Sequence, residues 1–203
     1  HKCVFADATK KQNAADKALE LISGSMLELS QKSFLAMPDH IVAIGAEGSE
    51  SILSDYCLYQ QGICTGDYGR FGRKFWELQE YSFGWSLQQS TVSSDVTFGG
   101  MENILLWNDS ENSLREFVEE RRGEERVGSW LRGDLAWGRK GVAASSTGDL
   151  AVALYCGNLY DDSTMALIPK DETYLPAIFS YCSSDEYKRS VRPLDSALKV
   201  RSA

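Results

Sequence analysis

Histidine is nearly absent from this chain, which has only His1 and His40. His40 lies in the turn-like Pro38-Asp39-His40 and His1 is the first residue, so a histidine-based catalytic triad lacks its base. Cysteine is sparse as well. The five cysteines, at 3, 57, 64, 156 and 182, contain no Cys-x-x-Cys pair, and no zinc-ligand spacing arises. Their odd number reads as reduced thiols of a cytoplasmic protein. No apolar run approaches the ~18 residues of a membrane span. Lys10, Lys11 and Asp16 break the N-terminal stretch where a secretory leader would be apolar. There is no Gly-x-Ser-x-Gly elbow, no P-loop, and no Gly-x-Gly-x-x-Gly between a strand and a helix. The acid pairs Asp161-Asp162 and Asp185-Glu186 read as turn and helix-start residues, not as a catalytic dyad. Positive charge is the last scarcity. Twenty-one Lys and Arg face 29 Asp and Glu, a net charge of −8, whereas a free-standing nucleic-acid binder is usually basic. Any polyanion contact therefore needs a local patch. His1 in first place leads us to expect a piece of a larger protein.

What remains is a chain of 203 residues, long enough to bury a sizeable core. From Asn13 to Met37, apolar residues at Leu19, Ile22, Met26, Leu27 and Leu29 recur at helix-like spacing, with Gly24 as a weak point and Pro38 as the stop. Ile41-Val42-Ala43-Ile44 is a candidate strand. Ile52, Leu53, Tyr56 and Cys57 have the spacing of a helix capped by Ser49 or Ser51. Beyond Gln61, short aromatic and β-branched segments alternate with glycine turns, at 70–78, 83–92, 103–107, 135–145, 150–156 and 163–168. A charged helix interrupts them, and its tail from Glu119 to Arg126 reads as a solvated end. Asp171 opens a final helix with Leu175, Ile178, Phe179 and Cys182 on one face and Pro176 in its first turn. The layout predicts an α+β fold. It has a helical N-terminal segment (1–45), a strand-rich mixed or antiparallel centre, and C-terminal helices within 46–203.

Two islands of positive charge stand out. Between Gln61 and Trp76, the cations Arg70, Arg73 and Lys74 fall within five residues, among Tyr68, Phe71, Phe75, Trp76 and several glycines. Arginine's forked donor suits phosphate oxygens and guanine edges, and glycine permits close approach. The second island holds Arg132, Trp137, Arg139 and Lys140. Trp137 reads either as a stacking residue or as core at a strand end. In Gln88-Gln89-Ser90-Thr91, the glutamine amides suit bidentate contact with adenine, or else solvate a strand end.

The order of these motifs resembles a known family. Gln61-Gly62-Ile63-x-Thr65-Gly66-Asp67, Arg70-Phe71 and Phe75-Trp76-Glu77 are similar to the start of the target-recognition region of large bacterial adenine-specific DNA methyltransferases, of the type IIG restriction–modification and BREX phage-defence kind. Phe98-Gly99-Gly100, Asn103-Ile104-Leu105-Leu106-Trp107, Leu135-Ala136-Trp137-Gly138-Arg139, Leu154-Tyr155-x-Gly157, Ile168-Pro169 and Val191-Arg192-x-Leu194-Asp195 follow in the family's order. Tyr68 stands where the family carries Asn after Thr-Gly-Asp, and no two of the four prolines are adjacent, so the catalytic Asn/Asp-Pro-Pro-Tyr motif is missing. The resemblance implies a DNA-recognition domain at 46–203 without its catalytic domain. It implies double-stranded DNA as partner, with Thr65, Arg70, Arg73, Lys74, Gln88, Gln89, Arg132, Trp137, Arg139 and Lys140 as contacts. It implies no cofactor in this chain, and S-adenosylmethionine bound by a catalytic methyltransferase domain of the same polypeptide. A different reading makes the acidic surface and the 119–126 run a protein-interaction module of a bacterial defence complex.

Overall fold

The computed structural model describes residues 1–8, 11–35, 52–80, 84–108 and 113–194. The chain divides into two compact units, His1–Ile52 and Leu53–Ala203. The boundary expected at 45/46, the Ile41–Ile44 strand and His40 lie outside the described residues.

In the first unit, β1 (Lys2–Ala6) pairs antiparallel with β2 (Met26–Ser30), Val4 opposite Glu28. Between them runs α1 (Ala14–Ser23), capped by Asn13, whose side chain accepts from the Asp16 N–H at 2.9 Å. A five-residue helix α2 (Gln31–Leu35) follows. The helix expected from Asn13 to Met37 is thus divided. It closes at Gly24, whose N–H bonds to Glu20 O, and Met26, Leu27 and Leu29 lie on a strand. Strand pairing with β1 overrides the local spacing. No described residue of this unit is buried, and Ile22 on α1 is 83% exposed.

The second unit carries two four-stranded sheets. The first has the order β3-β10-β7-β8 and is antiparallel throughout, built from β3 (Cys57–Gln61), β7 (Gly141–Ser145), β8 (Val152–Tyr155) and β10 (Thr164–Pro169). Its two faces are both covered. Val142, Ala144, Val152 and Leu167 pack with Ile178, Cys182 and Tyr187 of α7 (Leu175–Cys182) and α8 (Asp185–Leu194). The alternate residues Ala143, Ala166 and Ile168 pack with Tyr155, Tyr160 and Ala136. This period of two is the strand's own geometry. Burial pushes the Cys57 thiol up to about 11 and the Cys182 thiol up to about 12, so both behave as small apolar groups. The expected helix over Ile52–Cys57 stops after one turn, α3 (Leu53–Tyr56), because Cys57 already pairs with Pro169. Asp171 caps a 3-10 turn (Glu172–Tyr174) that runs into α7, with Pro176 in the expected first turn.

The second sheet has the order β4-β6-β5-β9, from β4 (Gly72–Lys74), β5 (Trp85–Gln89), β6 (Asn103–Leu106) and β9 (Leu159–Tyr160). Its pairs are antiparallel except β5 with β9. Helices α5 (Ser113–Arg122) and α6 (Glu124–Trp130) contribute Leu114, Val118 and Val127 to a core with Ile63, Phe71, Leu105 and Leu159. The expected α+β class is therefore what the chain forms, with helices at both ends. The strand expected over 135–145 is shorter, since 134–138 is a turn and pairing starts at Gly141.

Segment 96–97 continues the edge of β8, with Val96 N–H on Val152 O at 3.0 Å and Leu154 N–H on Thr97 O at 2.9 Å. The return from this segment depends on Gly100, which has φ +74° and on which a Cβ would lie 2.0 Å from Ser90 O. Gly100→Ala is expected to destabilise the fold by more than about 1 kcal/mol, read as a lower urea midpoint at constant m value.

Candidate functional site

The first island opens with a loop held to α6. Cys64 N–H bonds to Trp130 O at 2.8 Å, and Ile63 bridges both Leu131 and Asp161. Gly66 has φ +68° and sits against the Trp130 ring, where a Cβ would come within 2.6 Å. Asp67 then caps the single turn α4 (Tyr68–Phe71), accepting from the Arg70 N–H at 3.2 Å. Phe71 is buried, 5.2 Å from Phe117 of α5 between ring centroids.

This packing gathers cations from separate elements onto aromatic rings. The exposed Arg70 guanidinium lies 4.9 Å from the Phe71 centroid and 5.2 Å from that of Phe117. Arg121 reaches the same Phe117 ring at 5.6 Å, and Arg122 covers Trp130 at 4.3 Å. Each such contact contributes roughly 0.5–1 kcal/mol at an exposed site. The run expected to be a simple solvated tail is two helices. α5 ends at Arg122, Gly123 turns with φ +89°, and α6 starts at Glu124. Arg121 and Arg122 occupy the last turn of α5, where cations are favoured.

The other cations of the first island are engaged within the protein. The Arg73 guanidinium donates to Gly72 O at 2.7 Å and also to Gly69 O. Lys74 pairs with Glu102 at 3.0 Å and lies 5.6 Å from the Trp76 centroid. In the second island, Arg139 and Lys140 are exposed on the turn after Gly138, whose N–H bonds to Gly157 O at 2.9 Å. Trp137 is core. It packs edge-on to Trp107 at 5.4 Å, and its Nε1, like Arg132 Nε, is buried without a hydrogen-bond partner. Gln88 and Gln89 are corrected by their burial: both are 0% exposed, so no duplex groove touches them as they stand. Gln89 Nε2 donates to Leu154 O at 2.9 Å and Gly99 O at 3.1 Å, which makes it a tie between segments.

Thr65, Lys74 and Gln88 converge elsewhere. They line a cleft of about 550 Å³ together with Tyr68, Asn103 and Asp161. Lys74, Asn103 and Gln88 stand directly opposite one another across β4, β6 and β5, so they share a face of the sheet. Asp161 forms the turn its sequence suggests, accepting from Ser163 N–H at 3.1 Å and Thr164 Oγ1 at 2.9 Å, and its second oxygen accepts from Ser90 Oγ. Burial nevertheless outweighs these bonds and raises the Asp161 carboxyl above its ordinary range, with Asp162 adding repulsion. Burial and then the Asp161 and Glu77 carboxylates raise the Tyr68 phenol, so it stays a donor at neutral pH. Of the expected contacts, Arg70 alone joins the cation–aromatic surface. Arg121, Arg122 and Phe117 were not among the expected DNA contacts, nor were Asn103 and Asp161 in the cleft, while Tyr68 was noted only as an aromatic of the first island.

No protein-family model and no curated protein matches this chain. Among the described residues, no helix is long and apolar enough to cross a membrane.

Asp161 generates a pH dependence of known sign. A carboxyl raised in the folded state binds its proton more tightly there, so its contribution to stability is present at low pH and is lost as pH rises through the raised folded value. Asp161→Asn is expected to remove that loss, making the urea midpoint fall less from about pH 4 upwards. An unchanged slope would contradict the burial of a charged carboxylate.

Proposed function

We propose that the unit Leu53–Ala203 recognises double-stranded DNA as the target-recognition part of a site-specific DNA adenine methyltransferase. The supporting observation is the surface on which Arg70 and Arg121 flank the Phe117 ring while Arg122 covers Trp130. Three guanidinium groups from two elements are held partly ordered and exposed, on a chain that is otherwise acidic. Stacked guanidiniums lose less freedom on meeting a phosphate than free ones do. The ordered motifs from Gln61 to Ile168 add the likeness to modification enzymes. Arg139 and Lys140 form a second exposed pair for the backbone of the duplex.

In this reading, phosphate contacts set register and a few side chains specify sequence. The flipped adenine and S-adenosylmethionine would be held by a catalytic domain of the same polypeptide, since Asn/Asp-Pro-Pro-Tyr is absent from these residues. Recognition and chemistry are separate tasks, because a pocket closed around one base cannot read its neighbours.

The test is duplex binding by the full chain as a function of salt. Replacing Arg70, Arg121 and Arg122 together by Ala is expected to weaken binding to all sequences. It should also reduce the slope of log K against log salt by about 0.9 for each phosphate that is no longer neutralised. The matching Lys substitutions keep the charge and are expected to keep most of the slope. No measurable duplex binding at low salt, or an unchanged slope in the Ala variant with the fold intact, would reject the proposal.

A further inference from the structure

The cleft beside β4, β5 and β6 is not explained by a duplex surface. Its floor holds Gln88, which is 0% exposed and whose Oε1 and Nε2 both lack a hydrogen-bond partner. A buried amide with neither bond made is expensive, because each atom has given up water and received nothing in exchange. Exchanging its oxygen and nitrogen does not help, since both positions are bare. The same amide has no bond to break if its side chain rotates toward the opening. It therefore waits for a group that presents an acceptor and a donor side by side.

The surrounding chemistry narrows that group. Asn103 stands opposite Gln88 in register and is also buried. Asp161 places an acid in the wall, and Asp162 lies beside it. Lys74 is the cleft's cation, already paired with Glu102, so the lining disfavours a free phosphate. Tyr68 lies against Gly72, where a Cβ would come within 2.3 Å of its ring, and is 43% exposed, so ring surface is left open to a ligand. A flat, neutral ligand with an exocyclic amine fits: the amine donates to a carboxylate or amide oxygen, and a neighbouring ring nitrogen accepts from an amide N–H. The volume of about 550 Å³ is in the range of small-ligand sites.

We infer that this cleft binds an amino-bearing nucleobase, adenine or cytosine in type, with Gln88 reading the donor–acceptor edge, Asp161 receiving the amine and Tyr68 stacking on the ring. Glutamine and aspartate are the side chains that pair with these edges in nucleic acids. The base comes either as a free nucleoside or as an unpaired base of a strand. The site is independent of the Arg70–Arg121–Arg122 surface and stands or falls separately.

The experiment titrates the full chain with adenosine, cytidine and uridine, and with a duplex carrying one unpaired adenine against its fully paired counterpart. Binding is read by calorimetry and by the NMR signals of the glutamine side-chain amides. Adenosine or cytidine is expected to bind at least about tenfold tighter than uridine, which lacks the amine. If only the unpaired-adenine duplex binds better than its paired control, the base comes from a strand. Either result supports the inference.

Gln88→Met is the decisive variant. It keeps the volume and removes the unsatisfied amide, so the free protein is expected to melt at the same or a higher temperature while base binding falls at least about tenfold. Tyr68→Ala is a second variant at an exposed position, expected to weaken all bases alike. Arg70→Ala, Arg121→Ala and Arg122→Ala are expected to leave nucleoside binding unchanged. The inference is overturned if no nucleoside or unpaired base binds, if uridine binds as well as adenosine, or if Gln88→Met melts lower and binding persists.

Discussion

The larger unit depends on one close passage of backbone over backbone. Gly62 and Ile63 cross Tyr160 and Asp161 so tightly that a Cβ on Gly62 would lie 2.3 Å from Tyr160 O and 2.4 Å from Asp161 O. Gly62 N–H bonds to Thr164 O at 3.3 Å and Ile63 N–H to Tyr160 O at 2.8 Å. β3 ends in the first sheet and β9 belongs to the second, so this crossing ties the two sheets through their backbones, as Gln89 ties them through its side chain. Only a residue without a side chain fits there. From that fixed point the loop reaches Trp130, α4 is capped, and Phe71 enters the core beneath α5. The cleft takes its far wall from the same place, because Asp161 is one of the crossed residues.

The second organising effect is the use of aromatic rings as shelves for charge. Phe117 is half-buried: its ring packs tilted against Phe71, and the exposed Arg70 and Arg121 guanidiniums approach it. Trp130 serves in the same way between Gly66 and Arg122. An acidic chain can thereby present a positive face without a high overall charge. The dipole of α5 favours the arrangement, since Arg121 and Arg122 sit in its last turn.

The class of the fold was legible because glycine turns separate short β-branched segments, and because α7 shows one apolar face behind a proline. What misled was spacing without a partner. Met26, Leu27 and Leu29 fit a helix by themselves, but β1 is about twenty residues upstream and local periodicity carries no trace of it. Cys57 stands four residues after Leu53, at helical spacing, yet its partner Pro169 lies far along the chain. At the site, charge was easy to find and its use was not. Arg70 and Arg73 look alike in sequence, and the difference between them is which carbonyls and rings lie within reach. Phe117 and Arg121 are four apart on one helix, a pairing that sequence does show, but the many glutamates around them hid it. Gln88 and Gln89 alternate sides on a strand, so adjacent, identical residues have different work: Gln89 ties two segments and Gln88 faces the cleft.

The Arg73 guanidinium is tied through one nitrogen, Nη1, to the carbonyls of its own loop, Gly69 and Gly72, which fixes the side chain in place. Its charge remains. A fixed charge beside Arg70 still shapes the field felt by an approaching polyanion, out to about a Debye length, roughly 8 Å at physiological salt. Arg73 thus offers a charge whose position is fixed in advance, while the Arg70 guanidinium rests on rings and stays open to solvent. Two arginines of one short loop are thus held by different means, one by carbonyls and one by rings.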